Sequence, residues 1–361
     1  MTIPQMEPWL GDEETSAVHD YMKSGGWLME FKKTREFEAA IASYVGSKHC
    51  VVTNNGTISL TLAALALGLR AGDEVLVPNF TMIASPNSLC LFGAVPKLVD
   101  VEAETLCMDV EAARAAITPK TRVIMLVTAN GREPAPDIKA FEDLAREHDL
   151  VLLEDSAQSL GSRFRDGRHM GTAGAIGSFS FSVPKVITTG QGGALVTDDD
   201  DLAARLRRLK DFGRSSGGVD IHDTIGWNFK FTDIQACVGL EQMKKLPFRV
   251  GRKREIHELY RTGLQRVPNV ELFGVGPNQT PWFIDIRCEN REALREHLKA
   301  AGIGTRPMYP PVHQQKAYGW PGSYPVSERI GRDGLWLPSS SQLTNEEVET
   351  VCHAIAQFYA E

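Results

Sequence analysis

Residues 150–158 read Leu150-Val151-Leu152-Leu153-Glu154-Asp155-Ser156-Ala157-Gln158. An unbroken apolar run of this length suits a strand buried on both faces, as in a parallel sheet. The run leads straight into an acidic pair. Open α/β sheets bind ligands beyond the carboxyl ends of their strands, which makes Asp155 the first candidate for chemistry. A carboxylate there needs a cationic partner or several hydrogen bonds. Capping a helix is the other role open to it.

The same rhythm extends in both directions. Between residues 50 and 200, short apolar runs alternate with longer amphipathic ones, each bounded by Gly, Pro, Asn or Asp. The expected strands are 50–53, 74–77, 96–101, 122–127, 150–153, 177–181 and 194–197, with helices over 58–69, 83–92, 110–116, 138–148 and 199–212. Leu202, Leu206 and Leu209 have the spacing of a buried helical stripe. The pattern changes near 246–254, a basic stretch containing Pro247 that leads into a helix expected over 256–267. Beyond it come a strand (282–287), a helix (291–301), an extended piece (304–307) and a closing helix (345–359). The expectation is an α/β fold: a mainly parallel central sheet with helices on both faces in residues 1–245, and a smaller C-terminal α+β domain in 246–361.

Composition sets the outer limits. The chain has 361 residues, 42% hydrophobic and 24% charged, which excludes a disordered or fibrous class. Thirty-nine basic against 46 acidic side chains give a net charge of −7, without the positive footprint of a nucleic-acid binder. Apolar stretches such as Leu60–Leu69 fall well short of the ~20 residues of a membrane span. The opening MTIPQMEPWLGDEE lacks the basic and apolar regions of a secretory signal. Six cysteines, Cys50, Cys90, Cys107, Cys237, Cys288 and Cys352, include no Cys-x-x-Cys pair and suit reduced thiols. A cytoplasmic protein is expected, with no nucleic acid, membrane or metal as partner. The acidic run Asp198–Asp201, at a strand-to-helix junction, reads as a cap and dipole partner.

Two further motifs join Asp155. Asn54-Asn55-Gly56-Thr57 lies between a strand and an apolar helix; free amides, a glycine and a hydroxyl at such a point form a phosphate site, although a turn capped by Thr57 has the same composition. Ser178-Phe179-Ser180-Phe181-Ser182-Val183-Pro184-Lys185 places one lysine between apolar segments, ahead of Thr188-Thr189-Gly190-Gln191-Gly192-Gly193. A desolvated lysine becomes a nucleophile toward aldehydes, whereas an exposed loop lysine does nothing of the kind. A phosphate cradle, a buried acid and such a lysine are together what pyridoxal 5′-phosphate requires. Asp155 would keep the pyridine nitrogen protonated, and Lys185 would form the Schiff base and then move protons.

These residues resemble the DegT/DnrJ/StrS family of pyridoxal-phosphate-dependent nucleotide-sugar aminotransferases along nearly the whole chain. The landmarks fall in order: Glu36-Phe37-Glu38, Asn55-Gly56-Thr57, Gly72-Asp73-Glu74-Val75, Glu154-Asp155 with Ala157-Gln158, Phe179-Ser180-Phe181 with Lys185, and Gly192-Gly193. They continue with Gly226-Trp227-Asn228, Gln235-Ala236, Gly239-Leu240 and Tyr309-Pro310-Pro311-Val312-His313-Gln314. The resemblance implies the aspartate aminotransferase fold (fold type I) and a homodimer with shared active sites. It implies that Lys185 carries the cofactor, Asp155 meets its ring nitrogen and Gln158 lies near its ring hydroxyl. Gly56, Thr57 and Ser180 match phosphate positions, Asn228 one supplied by the partner subunit, and Tyr309 and His313 the substrate entrance.

Three places depart from the family pattern. Met82 stands where an aromatic residue usually stacks on the cofactor; Val127-Thr128-Ala129-Asn130-Gly131-Arg132 replaces a His-Leu-Tyr-Gly motif; Gln191 replaces a glutamate. The departures at Met82 and Asn130 are expected close to the sugar site. The implied reaction is transfer of an amino group, in two half-reactions, from glutamate to a keto sugar on a nucleoside diphosphate. Glu7-Pro8-Trp9-Leu10 and Ser24-Gly25-Gly26-Trp27 are most similar to perosamine-type members, which aminate a 4-keto-6-deoxy sugar. Retention of Lys185 separates the chain from relatives that have histidine there and act as dehydratases. A nicotinamide-dependent sugar dehydrogenase would need a Gly-x-Gly-x-x-Gly turn after its first strand, and none is present. A non-catalytic pyridoxal-phosphate-binding regulator of the same fold is the other alternative.

Overall fold

In a computed structural model, which describes residues 2–216 and 219–360, the apolar runs form a seven-stranded sheet in the order β1-β7-β6-β5-β4-β2-β3. The strands are β1 (His49–Thr53), β2 (Glu74–Pro78), β3 (Val95–Val99), β4 (Thr121–Val127), β5 (Val151–Asp155), β6 (Ile176–Ser180) and β7 (Gly193–Thr197). Each matches an expected strand. β7 pairs antiparallel with both β1 and β6, and the remaining neighbours are parallel. An antiparallel β6–β7 pair needs no crossover helix, so the connection over 181–192 stays at one end of the sheet. The carboxyl ends of β1, β5 and β6 meet the start of β7 there.

Helices cover both faces because successive side chains alternate across the sheet. Val51, Val123, Met125, Leu153 and Leu195 pack with α3 (Gly56–Ala66), α4 (Ala84–Cys90) and α7 (Asp200–Lys210). Their neighbours Val52 and Val196 pack under α2 (Lys32–Val45) and the first part of α8 (Asp233–Leu264), and Ile124 and Leu126 under α6 (Ile138–Glu147). α1 (Asp12–Lys23) lies against α8, and α5 (Val110–Ala116) joins α6.

A second, antiparallel sheet has the order β10-β11-β9-β8, from β8 (Val270–Leu272), β9 (Ile284–Cys288), β10 (Arg306–Pro307) and β11 (Gly334–Leu337). Its core joins the far part of α8 to α9 (Arg291–Ala300) and α11 (Asn345–Ala360); α10 (Pro325–Asp333) runs beside β11. Ile3 belongs to this core and bridges to Ile303.

The helix expected over 256–267 is a correction: it is the second half of α8, which runs through residue 246 with Pro247 inside it. Proline removes one helical donor and tends to break a helix. Here buried Leu246 and Val250 on one side and Ile256, Tyr260 and Leu264 on the other hold both halves in packed cores. Asp199 caps α7 by accepting from the Asp201 and Leu202 amides, as the acidic run suggested. The six cysteines are free thiols, and only Cys90 is exposed. Among the described residues, no helix is long and apolar enough to cross a membrane.

Candidate active site

One cavity of about 310 Å³ opens at the shared end of β1, β5, β6 and β7. Its floor is the start of α3. Asn55, in extended conformation, caps this helix by accepting from the Ile58 amide at 2.9 Å. The cap is therefore Asn55 and not Thr57, whose hydroxyl makes no hydrogen bond within the described residues. The first amides of α3, the Thr57 hydroxyl and Ser180 border the cavity, an arrangement suited to an anion. Glycine is required at position 56. A Cβ there would lie 2.8 Å from Ser180 Cβ and 3.0 Å from its Oγ.

Asp155 ends β5 and is buried. Its carboxylate accepts from Ser85 Oγ at 2.7 Å and from the Ala157 amide at 3.2 Å. Among the described residues no cation lies within ion-pair distance of it. Burial pushes its pKa up; the Ser85 and Ala157 hydrogen bonds and the charge of Lys185 act against that rise. Lys185 projects into the same cavity from the 181–192 connection. Desolvation lowers its amine to about 8, against the attraction of Asp155, while Arg306 adds repulsion. The neutral, nucleophilic fraction at pH 7 rises by roughly two orders of magnitude over an ordinary lysine.

The second sheet and the segments flanking its strands supply another wall. Lys185 Nζ lies 3.9 Å from the centroid of the Trp282 ring, and the indole Nε1 donates to the Pro184 carbonyl at 2.6 Å. Arg306 lies over Tyr309 and Trp336, at 6.0 and 5.4 Å from their ring centroids, and has no carboxylate partner among the described residues. Tyr309 meets Trp336 edge-on at 4.6 Å.

The cavity brings together Gly56, Thr57, Met82, Asp155, Gln158, Ser180, Lys185 and Tyr309 of the expected residues, with Gln191. Met82 is 43% exposed at its edge. Two expected residues lie elsewhere. Asn228 is on the surface, bridged to Asp211. His313 is buried and does not line the cavity, with Nδ1 2.9 Å from Asn79 Nδ2 and Nε2 3.4 Å from Glu328. Asn130 and Arg132 do not line the cavity either. Both are buried, and Asn130 reaches the cavity through its backbone amide, which donates to the lining residue Gln158. Sequence reasoning missed Ser85, Trp282 and Arg306. The lone Trp282 amid β-branched and aromatic neighbours resembles core, and only the second sheet's position shows otherwise.

The residues present fit pyridoxal 5′-phosphate. The cradle that a Cβ at position 56 would crowd suits the phosphate, the unpaired buried Asp155 suits a protonated ring nitrogen, and the desolvated Lys185 amine suits an aldehyde.

Comparison with known proteins agrees. The chain is 36% identical to GDP-perosamine synthase of Escherichia coli O157:H7 over 99% of both chains. It is 33% identical to GDP-perosamine synthase of Vibrio cholerae, again over 99% of both. The crystal structure of S. venezuelae DesV in complex with a ketimine intermediate superposes with a TM-score of 0.92 at 34% identity, covering 99% of each chain. Residues 8–356 match the model of the DegT/DnrJ/EryC1/StrS aminotransferase family. The chain belongs to this pyridoxal-phosphate-dependent family.

Proposed function

We propose that the protein transfers the amino group of glutamate to a 4-keto-6-deoxy sugar carried on a nucleoside diphosphate, and that the nucleotide is GDP. The names of the two relatives support the sugar and the nucleotide. The observation that carries the chemistry is the meeting of the Lys185 amine, covered by the Trp282 ring, and the buried, unpaired carboxylate of Asp155 in one cavity with the start of α3.

When bound, pyridoxal 5′-phosphate supplies a carbonyl for amines and a ring that accepts an electron pair from the substrate carbon. The α3 amides, Thr57 Oγ and Ser180 Oγ bind its phosphate. Asp155 holds the proton on the ring nitrogen, because an adjacent anion favours the charged form. Gln158 directs a donor to the ring hydroxyl, and Met82 packs a thioether against the ring. Lys185 Nζ, once free, would take the proton from the donor carbon and deliver it to the cofactor carbon that has gained the nitrogen, and in the second half-reaction would carry a proton the opposite way, from that carbon to the sugar carbon. Trp282 excludes water from that amine.

A second copy of the chain completes the site in this reading. Asn228 is exposed and stands in a segment with exposed Ile221, Ile225 and Trp227, while Trp27, Leu28 and Met29 add apolar surface. Apolar side chains in such number suit a covered interface. The free thiols suit the cytoplasm.

The test is spectroscopic and chemical. Purified holoenzyme should have a visible absorption band that glutamate bleaches, and a GDP-linked 4-keto-6-deoxy sugar should restore it with formation of the amino sugar. UDP- and dTDP-linked sugars form the comparison arms. A band that no amino acid bleaches overturns amino transfer and leaves the regulator; no band overturns both.

A further inference from the structure

We propose that Asn130 is a positioning residue that sets both the Lys185 amine and the Gln158 amide for the reaction, an inference that rests on the roles given to those two residues above. Asn130 is buried and has left-handed backbone angles, φ 52° and ψ 27°. Asparagine tolerates that conformation better than most residues with a side chain. From it, the side-chain amide grips the residue just before β9 at two points. Asn130 Oδ1 accepts from the Phe283 amide at 2.6 Å, and Nδ2 donates to the Phe283 carbonyl at 2.7 Å. The Asn130 carbonyl also accepts from the Trp282 amide at 3.4 Å.

The consequences reach the cavity on two sides. Trp282 stacks on Phe283 with ring centroids 3.9 Å apart and 19° between planes. The fixed Phe283 thus sets the indole that covers Lys185 Nζ and holds the Pro184 carbonyl. On the other side, the Asn130 amide donates to Gln158 Oε1 at 2.7 Å. Because Oε1 is engaged, the Gln158 NH2 group, which has no hydrogen bond within the described residues, is left as the donor available to the cavity. The asparagine amide supplies a donor and an acceptor side by side on a short stem that tolerates positive φ.

The test uses the full-length protein, freed of cofactor, and measures acetylation of Lys185 by acetic anhydride with mass spectrometry. Asn130→Gly keeps the backbone angles and the amide to Gln158 but has no grip on Phe283. Asn130→Asp keeps the acceptor alone. We expect Lys185 to be acetylated several-fold faster in Asn130→Gly as the indole loosens, with Asn130→Asp between it and the parent. In the holoenzyme, kcat of Asn130→Gly should fall by roughly tenfold to a hundredfold while KM for the amino donor changes less than about twofold. Acetylation and kcat both within about twofold of the parent, in a folded variant, overturn the proposal. Should Asn130→Gly not fold, Trp282→Phe, which keeps a ring but loses the bond to Pro184, must show the same faster acetylation. Lys185→Ala separates the two readings. If it keeps the visible band, the site assignment and this inference both fall. If it loses the band while Asn130→Gly matches the parent, this inference alone falls.

Discussion

Arg132 and Asp285 form a buried ion pair across the seam between the two sheets, with Arg132 Nη1 2.9 Å from Asp285 Oδ2 and Nη2 against Oδ1. Arg132 Nε also donates to the Gly274 carbonyl at 2.8 Å. Removing one partner strands the other charge away from water, a loss of about 3–5 kcal/mol. Asp285→Ala should therefore lower the denaturant midpoint strongly and loosen the second sheet. Stability within about 1 kcal/mol of the parent would contradict a role for the pair in holding the seam.

The cradle at Gly56 has little tolerance. In Gly56→Ala the new methyl is driven into Ser180 at 2.8 Å, which costs about 1–3 kcal/mol where the backbone is fixed. Cofactor affinity should drop by roughly tenfold to a hundredfold, read as loss of the visible band on dilution. Unchanged affinity means that the phosphate binds elsewhere.

For Asp155→Asn, the carboxylate opposite Lys185 is lost with little change of shape. The rate at which glutamate bleaches the band should fall by about a hundredfold or more, with the fold retained because Ser85 and Ala157 still have an acceptor. Parent-like bleaching would remove Asp155 from the cofactor chemistry.

Lys253 supplies a pH test. Buried in α8, it donates to the carbonyls of Trp282, at 2.7 Å, and Ser339, and burial lowers it to about 7. Its ordinary value is about 10.4. Between these values the unfolded chain carries a proton that the folded chain lacks, so this group adds stability as pH rises from about 7 toward 10, by up to about 1.4 kcal/mol per unit. Lys253→Met should show a smaller stability gain between pH 7 and 9 than the parent. Equal slopes would place the Lys253 pKa near that of an exposed amine.

The central sheet was legible because each strand is an apolar run closed by turn residues, and Asp155 and Lys185 were legible because both are polar groups set against such runs. The first two helices escaped notice, although Phe37, Ile41 and Val45 repeat at helical spacing in α2. Charged residues around them obscure the stripe. Pro247 misled for a physical reason: a local rule about helix breaking gives way when both halves are packed. Trp282, Arg306 and the grip of Asn130 on Phe283 depend on segments about 100 to 150 residues apart meeting at the seam, which no local pattern encodes.

The path of α8 limits how this enzyme can be rebuilt. Because one helix of 32 residues crosses from the first sheet to the second, and Ile3 returns to pack with the later core, the polypeptide has no clean cut point near residue 246. A chimera spliced there would divide a helix and orphan the first residues from the body they stabilise. Exchange of substrate preference with a relative is better sought by grafting the wall around Trp282, Arg306 and Tyr309 than by swapping halves.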